Sequence, residues 1–534
     1  MFGFLFAFLI AATSIYIKNN GGADIRMPLN LMTLFAVGAF IIFFALQKLP
    51  RKKHNLTILI GATLYLVPWI LSSPFAYGWI IFAIIMVLWV CIDGVVISNN
   101  LKNKIITATF ALAVIQAFIS LVQFLFPSIA LTFFEYSTIK YAGRPSGIFQ
   151  QINLLSSFLA TGLGCGLLSF VRDSHKCKYL IKLPLLGLLS FVIVISKSRT
   201  GELGLILVTL MVMLALYKSY KKDVLLAFYV IVGMVLFGVY ITEYSSFAID
   251  RGYADSDFER FNYLLIIFKM ILEKPILGWG YGTFEYNFSR YVLSHPELPY
   301  VYKTIVTHPH NEFFYTWYQG GVLPAAGLVI IFYAWCNGIC RSIVEKSDIV
   351  SYKMLIIPLF IHLNLEYPFY QSFIHLTVFV LLLRLGENEH KTENISNTGV
   401  AVLSRASIGA LGIMIIAYSL VGFYTARELT QLEREGLVNY PRNTPWYFKT
   451  QPERTEFDSM VSLLIHYNYD RKGIYLDEFL QRSEQWLKVH NDRNIWRDTI
   501  MIELNRGQDV KVASMLIEYN KLFPEHPMSF RKNY

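Results

Sequence analysis

The sequence predicts an all-α, polytopic membrane protein with about 12–13 transmembrane helices, a large loop on the outer face and a helical C-terminal domain. Three observations carry that prediction. Of 534 residues, 55% are hydrophobic and only 16% are charged, against about 25% charged in ordinary soluble domains. Apolar residues gather in runs near the roughly 20 residues that cross a bilayer as a helix. Basic residues crowd into alternate loops, the pattern that orients helices in a membrane.

In chain order the runs are 1–17, 28–47, 56–73, 77–98, 105–126, 152–171, 183–196, 203–217, 224–243, 322–340, 354–366, 370–383 and 406–424, thirteen in all. The first, MFGFLFAFLIAATSIYI, lacks a basic start and a clean small-residue cleavage site, so it reads as a retained helix rather than a signal peptide. One set of alternate loops carries Lys48, Arg51, Lys52 and Lys53, then Lys102 and Lys104, and so on to Arg384, Lys391 and Arg405, nineteen basic residues in all. The opposite short loops carry six: Lys18, Arg26, Lys140, Arg144, Lys197 and Arg199. The positive-inside rule puts the first set in the cytoplasm. Segments 127–151, 197–202, 244–321 and 366–370 and the tail after 424 then face outward. The expected division is a membrane domain over 1–424, with its loop at about 244–321, and a helical domain over 425–534.

The net charge of +10 sits in orienting loops, and no basic patch interleaved with aromatics argues for nucleic acid. The five cysteines lie in or beside apolar runs without zinc-type pairing, so neither a disulfide framework nor a metal site is expected.

The outward segments hold the polar chemistry. In SKSRTGE, Lys197 and Arg199 break the positive-inside pattern. A cation near membrane depth costs a few kcal/mol and marks a partner or a pathway. The pair reads as an anion site, with Arg199 as forked donor and Lys197 as point charge, or as side chains snorkelling to headgroups. In YAGRPSGIFQQINLL, Arg144, Gln150, Gln151 and Asn153 stand at a helix start, where free N–H groups favour an anion; ordinary capping is the alternative. Phe261 to Leu272 has helical apolar spacing and lies along the membrane surface or packs on the bundle. Arg260 is placed at the start of that helix and joins Arg251 and Arg290 as a candidate cation.

HPHNEFFYTWYQGG leads straight into an apolar run. His310 has an ordinary pKa near 6.5 and can take a proton at neutral pH. Asn311 follows it, and His308 and Glu312 flank it. The i, i+2 histidines beside Pro309 do not have the i, i+4 helical spacing of zinc enzymes. In IHLNLEYPFYQSF, His362 and Glu366 stand at i, i+4, with Tyr367 and Tyr370 following. An ionisable pair in such a run is a structural contact or part of a site.

Taken together, SRTGE, EKPILGWGYGTF and HPHNEFFYTWYQGG resemble the O-antigen ligase and Wzy polymerase superfamily. His310 and Asn311 followed by nine residues and Gly321 match the ligase pattern, while Pro324 stands where ligases often have a second glycine. GRPSGIFQQINLLSSFLATGL and HLNLEYPFYQSF look like segments of the bacterial protein O-oligosaccharyltransferases of the PglL type. Ile152 replaces the proline usual between Gln151 and Asn153. The resemblance runs over roughly 140–534. It implies transfer of a preassembled oligosaccharide from undecaprenyl diphosphate, on the periplasmic face of the bacterial inner membrane, to Ser or Thr of a protein such as a pilin. It further implies that His310 is catalytic. Arg199, Arg260 and Lys197 would hold the diphosphate. Gln151, Asn153, Arg144, Asn311, His308, Glu366 and Tyr367 would form the substrate and acceptor site. No cofactor or metal is implied. A ligase to lipid A core or a glycan polymerase is the alternative within the superfamily. A transporter or flippase is the alternative of another class, although no internal repeat of the transporter kind is visible.

In the tail, QLEREGLVNYPRNTPWYFKTQPERTEF reads as turn-rich. Leu476, Phe479, Leu480 and Leu487 suit one amphipathic helix, Trp496, Ile500 and Leu504 a second, and Val512, Leu516, Tyr519 and Phe523 a third. Such short helices resemble a tetratricopeptide-like module, which needs a neighbour to cover its apolar faces.

Overall fold

The computed structural model describes residues 2–47, 51–71, 78–244, 254–298, 300, 302–387, 392–393 and 399–529. Lys48, Arg251 and Lys391 lie outside the described residues. The helices in chain order are α1 (Phe2–Ser14), α2 (Pro28–Leu46), α3 (Leu56–Leu66), α4 (Trp79–Asp93), α5 (Asn99–Leu125), α6 (Pro127–Phe134), α7 (Thr138–Tyr141), α8 (Ile152–Arg172), α9 (Lys178–Ile195) and α10 (Arg199–Tyr244). They continue with α11 (Ala254–Glu273), α12 (Phe284–Ser294), α13 (Glu312–Gly320), α14 (Val322–Val344), α15 (Ile349–Lys353), α16 (Ile357–Leu363), α17 (Pro368–Gln371), α18 (Phe373–Leu385) and α19 (Gly399–Arg434). The tail holds α20 (Pro452–Asp470), α21 (Gly473–Trp486), α22 (Arg493–Asn505) and α23 (Asp509–Leu522). A two-residue ladder pairs Arg51–Lys52 with Thr392–Glu393.

Among the described residues, seven helices are long and apolar enough to cross a membrane, and five shorter ones are apolar. The protein is therefore an all-helical polytopic membrane protein. The runs 203–217 and 224–243 fall on one continuous element, α10, broken only at Tyr220 (φ −138°, ψ 37°). Neighbours show what happens at the break. Before it, Gly201 lies against Ser156 and Val208 against Gly164, so this half runs alongside α8. Beyond it, Asp223 pairs with Lys178 at 2.8 Å and Glu243 with Lys197 at 2.9 Å, so that half runs alongside α9. Since α8 and α9 are successive, oppositely directed helices, the chain reverses at Tyr220. Small residues at these contacts let backbones approach closely, which drives helix association where lipid offers no hydrophobic gain.

Contacts divide the chain into two compact units. Unit 1 comprises residues 1–62, 80–251 and 329–427, and unit 2 residues 63–79, 252–328 and 428–534. Unit 1 is the helix bundle. Its irregular segment between α7 and α8 is held by two glutamines of α5. Gln123 Oε1 accepts the N–H groups of Ser146 (2.9 Å) and Gly147 (2.8 Å), and Gln116 Oε1 accepts that of Ile148 (3.1 Å). Non-helical backbone inside such a bundle persists only where its polar groups are met in this way.

A second buried polar cluster closes the C-terminal ends of α4 and α18. Arg384, fully buried, donates to the carbonyls of Ile92 (3.0 Å) and Val95 (2.5 Å), and its Nε lies 3.9 Å from the Asp93 carboxylate. Asp93 also accepts the Asn55 N–H at 2.7 Å, and Lys353 sits 3.6 Å from Glu387.

Unit 2 has its own core. Ile266, Ile267 and Met270 of α11, Phe284 and Phe288 of α12, and Tyr318 of α13 join Phe479, Trp486, Trp496 and Ile500 of the tail. Arg290 of α12 donates to Glu518 (2.6 Å) and to Asn491 (3.0 Å), and Asn491 N–H donates to Glu285. The tail thus covers its apolar faces with α11, α12 and α13. The three expected tail helices are α21, α22 and α23. Two helices of unit 2 with more than ten residues went unread. α12 has too few apolar residues to stand out, and α20 begins with the charged run PERTEF inside the stretch read as turn-rich. Arg260 does not begin its helix. The polar segment ADSDFER is itself helical, so α11 starts at Ala254 and Arg260 stands well inside it. The free N–H argument therefore does not apply to Arg260.

Candidate active site

The polar residues of unit 1 meet around Glu366. Gln151 is the N-cap of α8, in extended backbone, and its Oε1 accepts the Leu154 N–H at 2.5 Å. That capping bond orients the amide so that Nε2 donates to Glu366 Oε2 at 2.8 Å. Asn153, in the first turn of the same helix, donates to Glu366 Oε1 at 2.5 Å. Both oxygens of one carboxylate are therefore gripped by amides from one helix start. Asn153 turns its own Oδ1 to the Ser198 hydroxyl, 2.7 Å away. Ser198 Oγ in turn accepts the Gly201 N–H at 3.3 Å, which caps α10.

This chain of bonds ties SKSRTGE to the Glu366 cluster. Lys197 and Arg199 flank Ser198, so the two cations that break the orientation pattern belong to the same place. Lys197 has positive φ (46°), is buried, and pairs with Glu243 at 2.9 Å. Arg199 is the first residue of α10, half-buried. Only Ser196 to Ser198 separate α9 from α10, so 199–202 is helix rather than loop.

Behind the carboxylate stands His362, fully buried, with Nε2 3.5 Å from Glu366 Oε2 and Nδ1 2.7 Å from Ser157 Oγ. The i, i+4 pairing read from the sequence is therefore real. Ser157 and Ser198, its extension on either side, were not singled out. Ser198 had a signal, lying between two cations already under suspicion; Ser157 had none. Tyr367 is half-buried at the N-cap of α17, its ring 6.5 Å from that of Tyr370. Arg144 is half-buried in the segment before α8, where its Nε donates to Tyr141 O at 3.3 Å.

Unit 2 holds the histidine turn. His308 is buried, and its Nδ1 accepts the His310 N–H at 2.8 Å. Burial first, and the neighbouring His310 second, hold the His308 pKa well below its usual value. His308 is thus a neutral ring with its proton on Nε2. That bond helps to hold His310 at φ +59°, a conformation that a residue with a Cβ adopts at a cost of about 1–2 kcal/mol. Such strain gathers at functional positions. Asn311 is the N-cap of α13, with Oδ1 accepting the Phe314 N–H at 3.0 Å. Glu312 is buried, and its Oε1 accepts from Tyr65 (3.3 Å) and Thr316 (3.2 Å). Arg260 lies in this unit, half-buried on α11.

The glycines after the turn have a backbone reason. Gly321 has φ +74°, and a Cβ there would stand 1.9 Å from the Ile276 carbonyl. Gly278 has φ +71°, and its Cβ would stand 2.6 Å from the Tyr318 and Gln319 carbonyls. Trp279 and Gly280 donate to those same carbonyls at 2.7 and 3.0 Å. ILGWGYG is therefore a clasp on the end of α13, not a phosphate cradle. Among the described residues, no three His, Cys, Asp or Glu side chains converge as a metal site.

Residues 184–331 match the family described as O-antigen ligase, and residues 353–533 match the C-terminal region of the virulence factor membrane-bound polymerases. The first match takes in Lys197, Arg199, Arg260 and the turn from His308 to Gly321; the second takes in Glu366, Tyr367 and the tail. Arg144, Gln151 and Asn153 precede both. Among curated proteins, the chain is 23% identical over 280 residues to a ComP-specific O-oligosaccharyltransferase of Acinetobacter baylyi, covering 51% of this chain and 48% of that one. It is 31% identical over 86 residues to an O-antigen ligase of Salmonella typhimurium, covering 16% and 20%. The alignments thus span about half of the first relative and a fifth of the second. The two family matches together cover more than half of the chain, and the first takes in both the helix break and the histidine turn described above: the protein belongs to the O-antigen ligase and polymerase superfamily.

Proposed function

We propose that the protein is a glycosyltransferase that moves a preassembled oligosaccharide from undecaprenyl diphosphate to Ser or Thr of a periplasmic protein, for example a pilin, on the outer face of the bacterial inner membrane. The observation that carries this reading is the joined cluster of unit 1. Glu366 is held by Gln151 and Asn153, and Asn153 is bonded through Ser198 to the loop of Lys197 and Arg199. A lipid diphosphate leaves with growing negative charge, which fixed cations stabilise without an acid. Arg199 and Lys197, with Arg260, fill that role. The acceptor hydroxyl is a weak nucleophile, and a positioned base contributes about 10²–10⁴-fold; His310 is that base. The hydroxyl oxygen bonds to the anomeric carbon as the carbon–oxygen bond to the diphosphate breaks. The proton passes to His310, and the configuration at that carbon inverts. Gln151, Asn153, Glu366 and Tyr367 position the acceptor segment. The name of the Acinetobacter relative supports a protein acceptor.

Transfer to lipid A core, or polymerisation of glycan units, is the second reading. The match to the O-antigen ligase description over 184–331 favours it. Both readings need no metal. The test is co-expression with a lipid-linked glycan pathway and a candidate acceptor protein. A glycan-sized mass increase on an acceptor peptide is expected. Transfer to lipid A core with none to protein overturns the first reading, and glycan movement without any transfer supports a transporter instead.

A further inference from the structure

α11 is apolar on two faces. Tyr263, Ile266, Ile267 and Met270 are buried in the core of unit 2. The other side is apolar as well. Phe261, Leu265, Phe268 and Leu272, at i, i+4, i+7 and i+11, are from 40% to 60% exposed. That spacing is a straight stripe along one helix face. The stripe continues past the end of α11 into Ile276 and Leu277, exposed by 70% and 77%. Water-soluble surfaces seldom carry a contiguous patch of this kind.

Three features identify its occupant. First, the patch is continuous with a membrane-crossing helix. The Ile276 carbonyl accepts the Val322 N–H at 3.2 Å, and Val322 and Leu323, both exposed, open α14. α14 is among the helices long and apolar enough to cross a bilayer. Second, lysines border the patch. Lys269 is exposed beside the stripe, and Lys274 sits 4.0 Å over the Trp279 ring. Third, an interfacial tryptophan completes the rim, since Trp317 Nε1 donates to Pro275 O at 3.0 Å. Apolar face, flanking lysines and a hydrogen-bonded tryptophan are the signature of a helix lying in the headgroup region.

We propose that the exposed face of α11 lies in the bilayer surface, level with the start of α14, with Phe261, Leu265, Phe268 and Leu272 among the acyl chains and Lys269 and Lys274 at anionic headgroups. The consequence reaches the histidine turn. Phe314 of α13 meets Phe268 with ring centroids 6.2 Å apart. The helix that His308, His310 and Asn311 lead into is thereby held at a set depth beside the lipid surface.

The test uses the full chain in nanodiscs that contain anionic lipid, in a background where Cys177, Cys336 and Cys340 are replaced by serine. Spin labels are placed at Leu265→Cys and, separately, Leu272→Cys, with Val510→Cys on the exposed tail surface as reference. Collision rates with oxygen, which partitions into lipid, are compared with those of a water-soluble nickel chelate. The expected result is an oxygen-to-nickel ratio several-fold higher at 265 and 272 than at 510. A ratio equal to that of 510 places the face in water and overturns the proposal. Low collision with both reagents means that protein covers the face, and overturns it too. The readout does not depend on glycan transfer.

Discussion

At one end of unit 1, the first turns of α8 and α18 meet, where His375 Nε2 lies 2.9 Å from the Leu154 carbonyl, and Glu366 takes hydrogen bonds from two amides. At the other end, where the same two helices finish, Arg384 is buried against two carbonyls and Asp93, and Arg172 donates to Tyr352 and Ser351. The second end matches cations to helix C-termini and to opposite charge, which completes the backbone and favours the helix dipoles. The first end spends a cap, an amide and a serine on holding one carboxylate beside a loop of cations. Burying polar groups that way stabilises little, since desolvation offsets most of each bond. The contrast sets a structural cluster against the one to which we assign the chemistry. In the function proposed above, the structural end faces the cytoplasm and the other the outer face.

The comparison breaks if the two ends respond alike. Arg384→Met should show the largest change in stability, about 3–5 kcal/mol, because Asp93 is left buried without its guanidinium. Thermal unfolding in detergent measures it, and transfer per folded molecule should be unchanged. Gln151→Ala should do the reverse. The cap is lost, but the larger effect is a misplaced Glu366 and a transfer rate lower by about 10²-fold, read as product per minute at saturating acceptor.

Unit 2 sharpens the same distinction through pH. The unfolded His308 ring takes a proton as pH falls through its usual value of 6.5, and the buried ring does not. The unfolded state then binds more protons, so stability declines below pH 6.5, by at most about 1.4 kcal/mol per pH unit. Above pH 6.5 the effect is absent. Melting temperatures at pH 7.5 and 5.5 should differ more for the natural protein than for His308→Gln. Asn311→Ala should have the smallest effect, about 1 kcal/mol for a lost cap, measured by the same unfolding.

Much of this was legible in the sequence because membrane helices announce themselves by composition. Each of the thirteen runs falls on an apolar helix, and the two on either side of Tyr220 share α10. Orienting charges, unlike tertiary partners, are local in sequence. The grip on Glu366 was not legible as a whole, since it joins residues 215 and 213 positions apart. Its members were suspected one by one from loops and helix starts. Gln116 and Gln123, seven residues apart within an apolar run, were a missed signal. Polar groups on one face of such a run need partners, and theirs are the backbone of the segment before α8. α20 was hidden by charge, because a helix covered on one face by other tail helices needs few apolar residues.

The most direct test of the central claim is the rate at which purified Glu366→Gln transfers glycan to an acceptor peptide, with its melting temperature taken alongside. The substitution keeps the size of the side chain but sets an amide against the two amide donors of Gln151 and Asn153. The account predicts a rate lower by about 10²-fold with melting shifted by a few degrees at most. A natural rate from the folded variant would contradict it, and would return Glu366 to the structural side of the comparison.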